Sequence, residues 1–285
     1  MSDEEYIDGE YEEPEQEDER DGFIEWPRDP RLDPAKAEAY SLFEQDSSMV
    51  FYGRQVEVML EKGYFHWITH KALRELSGEG SIRSELRTTP GGNRLRLYWS
   101  RQNRYPKRAA TALVKQVDEH ANPELTKAIG AHAEMLFGLA AGTDGFKLSG
   151  RSTRTYGGKD WRETDHDLDW IFERDGLGWG VEVKNTWAYI DRAEMHVKIR
   201  MCEFLGLKPL FIMRWAPKSY VELIRRSGGF GLLYETQLFP LGHSSAVENL
   251  RKLRLPVAES SSLPEGVFRR FVRHGHLKTL SRELG

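Results

Sequence analysis

The chain reads as a mixed α/β protein carrying an acidic leader, and three observations predict this. Stretches with helix caps and stops alternate with short apolar runs of strand type. Two segments have hairpin form, residues 81–100 around Pro-Gly-Gly-Asn and residues 166–185 around Asp-Gly. Charge is also sorted by position. The whole carries −4, yet eleven of the 45 acids and only one of the 41 bases fall in the first twenty residues, so the rest carries +6.

Taken in order, residues 1–33 form an acidic arm too poor in apolar surface to fold alone, expected to be disordered. It is a solubilising tail or a mimic of DNA that fills a basic groove. Residues 34–105 begin with two short helices, "DPAKAEAYSLFEQD" and "YGRQVEVMLEKGYF", the second stopped at Gly63. Thr69 is placed to cap a third, "HKALRELSGEG", with Leu73 and Leu76 on one face. The first hairpin follows. Helices leading into a two-stranded hairpin resemble a winged helix-turn-helix domain, which implies DNA binding. Residues 106–122 hold a connecting helix. Residues 123–256 start with Asn122 as N-cap and Pro123 at the first helical position, a strong start signal. Leu125, Ile129 and Leu136 make that helix's core stripe. A short strand "GFKLSG", a polar loop at 151–165 and the second hairpin come next. Asp191 caps a helix ending at Gly206, "KPLFIMRW" is a buried-type strand, and a helix near 219–226 precedes the strand "GFGLLYETQ". Residues 257–285 are a basic amphipathic helix or tail, by default a docking element.

The second hairpin poses a problem of charge. A type I′ turn needs positive φ at both central residues, which Asp175-Gly176 supplies. Counting outward sets Arg174 opposite Leu177, Phe172 opposite Trp179, Trp170 opposite Val181 and Leu168 opposite Val183, an apolar face. The other face pairs Ile171 with Gly180, Asp169 with Glu182 and Asp167 with Lys184. Like charges directly opposite repel, with Cβ atoms about 5 Å apart. A hard divalent cation resolves this, because Mg²⁺ takes oxygen ligands and keeps several waters. The Val183 side chain enters the core, leaving its carbonyl as a further ligand. Lys184 shares a face with Glu182, where an ammonium orients an attacking water and stabilises charge developing on a phosphate. Gly178 and Gly180 leave room on that face for a backbone to approach. Asp167 is a supporting partner of Lys184 or a second acid.

Asp169 followed by Glu182-Val183-Lys184, on a hairpin after a helix, resembles the PD-(D/E)xK nuclease superfamily. "GAHAE" ending in Glu134, then Gly145-Phe146, resembles the first helix of archaeal Holliday-junction-resolvase-like and restriction-endonuclease-like members. The resemblance spans residues 123–215. It implies a restriction-endonuclease-like mixed sheet flanked by helices and hydrolysis of DNA phosphodiesters with Mg²⁺ or Mn²⁺. Asp169 and Glu182 would be metal ligands, Lys184 the catalytic lysine and Glu134 an assistant in metal binding. The sequence departs from the pattern at Leu168, where a proline is expected. Glu134 lies nearly opposite its helix's core stripe, so it reaches the site only if the helix turns its flank there.

Nucleic-acid contacts are expected from Arg83, Arg87, Arg94, Arg96, Arg101 and Arg104, with Lys107 and Arg108 beside them. Glu85 is the one acid in that segment, and Tyr98, Trp99 and Tyr105 are interleaved. Arg151 and Arg154, in the loop before the Asp169 strand, are set to embrace the substrate. Lys198, Arg200 and Arg214 are further cleft candidates. The partner is DNA, double-stranded or branched, and a homodimer would suit two-stranded cutting. Cys202 falls on a buried helical position, and His132, His166 and His196 lack metal spacing, so all four read as structural. A single cysteine, no signal-peptide order and no apolar run of about 18 residues favour a cytoplasmic or nucleoid-associated, membrane-free setting. Two rivals remain: a DNA-binding regulator or adaptor on a nuclease-like scaffold, and a nuclease acting on RNA or single strands, for which the aromatics would stack bases.

Overall fold

The computed structural model describes residues 28–284, and residues 1–27 of the expected arm lie outside them. The protein is mixed α/β, and from Arg31 onward the chain makes one compact unit. It opens with α1 (Leu32–Gln45), β1 (Val50–Tyr52), α2 (Gly53–Leu60) and α3 (His66–Gly78), then β2 (Ile82–Thr88) and β3 (Arg94–Ser100). β3 lies between β1 and β2, antiparallel to both. The helices cover one side, where Ala39, Phe43, Phe51, Val56, Leu73 and Tyr98 close into an apolar cluster. Thr69 is not the cap of α3. The helix starts at His66 after Phe65, because Ile68 must lie within it to pack with Leu32, Ala35 and Ala72.

α4 (Pro106–His120) turns Ala110, Leu113 and Val117 inward. They meet Leu97 and Trp99 from β3, and also Ile129, Trp187, Phe239 and Leu250 from the rest of the chain. The first sheet and the larger half therefore share a core. α5 (Pro123–Thr143) starts as its signals require, with the Asn122 side chain accepting the N–H groups of Glu124 and Leu125. Then come β4 (Lys147–Thr153), a small ladder of β5 (Thr155–Tyr156) and β6 (Lys159–Asp160), β7 (Leu168–Arg174) and β8 (Leu177–Lys184). The expected polar loop is thus partly strand. α6 (Arg192–Leu205), β9 (Lys208–Met213), α7 (Lys218–Arg226) and β10 (Phe230–Leu233) complete a five-stranded sheet in the order β10-β9-β8-β7-β4. β8, β9 and β10 run parallel, whereas β4, β7 and β8 alternate in direction.

Apolar side chains cover both faces of this sheet. On one, Ala133, Phe137 and Ala141 of α5 pack on Phe172, Trp179 and Val181 together with Phe268 and Phe271. On the other, Met201, Cys202 and Leu205 of α6 pack on Leu168 and Ile171. α8 (Ser244–Lys252) and a parallel pair, β11 (Gln237–Phe239) with β12 (Val257–Glu259), complete the core shared with α4. These three elements lacked a sequence signal. The C-terminal segment docks on its own chain: α9 (Val267–Phe271), a π-helical turn (Val272–His276) and α10 (Leu277–Leu284). Buried His276 accepts from the Trp179 indole N–H at 3.2 Å and contacts Asp175 at 3.0 Å.

The hairpin register agrees with the Asp-Gly count from Arg174↔Leu177 to Trp170↔Val181, with φ of 53° at Asp175 and 77° at Gly176. There the ladder stops. Leu168 is not opposite Val183; it pairs with Thr153 of β4 and turns to the α6 side. The β4–β7 ladder also shifts register, between Leu148 and Gly150. Gly180 is also not an approach for a ligand backbone. A Cβ there would lie 2.5 Å from Cys202 Sγ and 2.9 Å from a Leu168 methyl, so the glycine admits α6.

Candidate active site

The site forms where β7 and β8 part. Past the last ladder pair the Asp169 and Glu182 backbones are not partners, yet the two side chains stay coupled. Asp169 Oδ2 accepts the Val183 N–H at 2.6 Å and so closes the open end of the hairpin. In a strand, N–H and C=O of one residue point to the same side, so the Val183 carbonyl is turned toward Asp169 as well. Lys184 looks to the other neighbour, its carbonyl accepting from Arg214 N–H at 3.0 Å.

Glu182 is 3% exposed in the middle strand of the sheet. One carboxylate oxygen, Oε1, lies 2.9 Å from Lys184 Nζ, and the other lies 2.7 Å from Lys198 Nζ. The second contact is outside hydrogen-bond geometry, leaving Oε2 buried without a hydrogen-bond partner. Lys184 also donates to Glu194 Oε1 at 2.9 Å. Lys198 donates to the backbone carbonyl of Asp167, and its Nζ lies 3.9 Å from that residue's carboxylate. Asp191 positions these α6 groups by accepting the Glu194 N–H at 2.9 Å as the helix cap.

The charges are unevenly settled. Burial, and next the charge of Glu182, push the Asp169 carboxyl up to about 7, against the pull of the Val183 N–H. Glu134 is also raised, by burial first; Glu182 and Asp167 add to the shift, and Arg151 and Lys184 oppose it. Glu134 therefore feels the charges of this site, as the flank of α5 had to allow. For Lys184, burial favours the neutral amine, but Glu182 and then Glu194 outweigh it and hold the ammonium above the ordinary lysine range.

These residues fit a hard divalent ion. Glu182 Oε2 is buried against the Lys198 ammonium without a hydrogen bond, and the neighbouring Asp169 carboxyl resists ionisation, so a divalent charge between them would favour the ionised pair. Among the described residues no three His, Cys, Asp or Glu side chains converge closely enough to hold a metal on their own. Asp169 and Glu182 would thus supply two ligands, the Val183 carbonyl a third, and water or phosphate the others, which is the usual condition of Mg²⁺.

The other expected residues are distributed more widely. The basic residues of the first hairpin do not share a face. Arg94 and Arg96 lie with Tyr98 on one side of the sheet, and Arg83 and Arg87 with Trp99 on the opposite side, a consequence of strand alternation. Arg87 is engaged by Glu85 at 2.8 Å. Arg83 and exposed Arg101 border a cavity of about 440 Å³ with Ser77, Ser84 and Trp99, whereas Arg104 is exposed beyond β3. Arg151 stacks over the Trp170 ring at 5.1 Å, close to the site, and Arg154 faces Asp165 at 3.4 Å. Of the cleft candidates on and after α6, only Lys198 reaches the site. Arg200 contacts Glu163, and Arg214 is buried against Glu61. Burial pushes the Cys202 thiol up to about 12, which removes it as a nucleophile. Glu194 and Lys198 are residues of the candidate site that the sequence reading missed or left open. Their spacing was a usable signal, since positions 194, 198, 202 and 205 share the buried face of α6.

No family model matches this chain, and neither a curated protein nor a solved structure does. No helix among the described residues is long and apolar enough to cross a membrane.

Proposed function

We propose that the protein is a metal-dependent nuclease of the PD-(D/E)xK type that hydrolyses phosphodiester bonds in DNA. The observation that carries this reading is half-buried Asp169 beside buried Glu182, with Asp169 held up to about 7, next to the Lys184 ammonium at the open end of a hairpin. Strongly perturbed carboxyls beside a specific charge partner are a feature of functional sites. The order α5, β4, β7, β8, α6, β9 supports the restriction-endonuclease-like reading of the larger half. The order α1, β1, α2, α3, β2, β3, with β1 against β3, supports a winged-helix-like reading of the smaller. There α3 presents Trp67, His70, Lys71 and Arg74 to solvent, a face suited to phosphates and bases.

In this mechanism Asp169 and Glu182 would hold the ion, and Glu134 would add charge from the flank of α5. When bound, the ion would supply Lewis acidity. Lys184, anchored by Glu182 and Glu194, donates a hydrogen bond to the attacking water and to the phosphoryl oxygen that gains charge. Arg151, set on Trp170, steadies a neighbouring phosphate. The water's oxygen bonds to phosphorus and releases a proton to solvent, the bond from phosphorus to one ester oxygen breaks, and that oxygen leaves with a proton from solvent.

The two lysines against Glu182 favour a second reading, in which the chain binds nucleic acid without cutting it. Incubation with supercoiled plasmid, a four-way junction and RNA, in Mg²⁺ and in chelator, separates the two. Nicking of DNA in Mg²⁺ alone, lost in Asp169→Ala and Lys184→Ala while duplex affinity persists, is the expected result. Binding with no cleavage of any substrate would leave the second reading standing, and cleavage of RNA alone would change the substrate class.

A further inference from the structure

Lys198 is an unusual buried lysine. Its side chain is 5% exposed, on a helix whose other basic side chains have routes to water. An ammonium in such a place is costly unless anions meet it. Here it is met by three oxygens: Glu182 Oε2 at 2.7 Å, the Asp167 carbonyl, and the Asp167 carboxylate at 3.9 Å. A carboxylate, a carbonyl and a second, more distant carboxylate make the surroundings that a hard cation selects. Lys184 cannot serve the same oxygen, because it is engaged by Glu182 Oε1 and Glu194.

We infer that Lys198 is the resident counter-ion of Glu182, holding the cation position until a divalent ion displaces it. This rests on the metal-ion reading given above. The ammonium keeps the carboxylate pair folded and compact without metal, and entry of the ion requires the Lys198 stem to swing from Glu182 toward Asp167 or a substrate phosphate. Lys198 is thus a positioning residue that sets a threshold for ion occupancy. An ion arriving alone competes with it, whereas a phosphate arriving with the ion gives the displaced ammonium a new partner.

The test is Mn²⁺ binding to the full chain, read by the electron paramagnetic resonance of free Mn²⁺, alongside thermal melting in chelator. Lys198→Met removes the charge and keeps the stem. It is expected to bind Mn²⁺ at least about tenfold more tightly than the parent, since close buried charge pairs carry couplings of that size or larger. In chelator it should melt below the parent, and Mn²⁺ should restore it. Glu182→Gln combined with Lys198→Met should melt close to the parent and lose Mn²⁺ binding. Should Lys198→Met be too unstable to purify, Lys198→Gln provides the same comparison. Mn²⁺ binding to the parent with equal or weaker binding to the variant would overturn the counter-ion role and leave the metal site standing. No Mn²⁺ binding to either protein would remove the metal reading and this inference together.

Discussion

Two clusters of buried charge stand in this molecule, and they are built to different rules. The first ties α2 to the chain after β9. Glu61 receives both terminal nitrogens of the Arg214 guanidinium at 2.6 and 2.5 Å, and Arg214 also donates to the carbonyls of Thr186 and Glu235. Burial alone would raise the Glu61 carboxyl, but Arg214 and His66 outweigh it and hold it below the ordinary range. Glu57 behaves alike: burial opposes its charge, and His70, Arg54 and His66 overcome the opposition. The second cluster, at Asp169 and Glu182, has lysines against Glu182, yet the Asp169 carboxyl is pushed up to about 7. In the first cluster cations outweigh burial at both carboxyls. In the second, burial and a neighbouring carboxylate outweigh the cations at Asp169.

This contrast can be broken most forcefully at Arg214. Arg214→Met strands the Glu61 carboxylate in the core and should cost about 3–5 kcal/mol in urea unfolding. A loss under 1 kcal/mol would mean that water reaches the pair. At the second cluster the loss should instead fall on activity. Lys184→Ala is expected to lower plasmid nicking by about a hundredfold or more, while its unfolding free energy changes far less than in Arg214→Met. Equal losses of stability in the two variants would erase the distinction.

The two clusters should also bend the pH profile of stability in opposite senses. Glu57 and Glu61 have lowered values, so their contribution is present above the unfolded glutamate range and disappears as acid takes the pH down through their folded values. Asp169 has a raised value, so the folded state binds the extra proton. Stability should therefore fall as pH climbs from about 4, the unfolded aspartate value, to about 7. Asp169→Asn should flatten that upper slope and be more stable than the parent at pH 8 in chelator. A variant less stable at pH 8 would show that the ionised carboxylate is already well satisfied. The smallest effect is expected at the α6 cap, where Asp191→Ala should cost about 1 kcal/mol. It should also lower nicking slightly, through looser placement of Glu194 and Lys198.

The legible parts of the fold were those written in local chemistry. Asp175-Gly176 set the register, Asn122-Pro123 and Asp191 set two helix starts, and Gly206, at φ 79°, ended α6. Less legible were features decided at a distance. Leu168 pairs with β4 and packs on α6, both remote in sequence, and the start of α3 depends on Leu32 across the fold. The split of the hairpin arginines follows from strand alternation, which their density along the chain concealed. At the candidate site, the Asp169, Glu182 and Lys184 spacing was readable because one turn fixes it. Lys198 and Glu194 come from a separate helix, and only the packing of α6 on β8 brings them in. Arg214 shows the converse, since nothing local distinguishes a cleft arginine from one buried against Glu61.

The most direct measurement follows the Asp169 side-chain carboxyl carbon by NMR against pH, with chelator and then with Mg²⁺. A midpoint near 7 in chelator that drops to the ordinary carboxylate range or below when Mg²⁺ is added is the predicted result. A midpoint near 4 in chelator, or one near 7 that Mg²⁺ leaves unmoved, would contradict a divalent-ion site at Asp169 and Glu182.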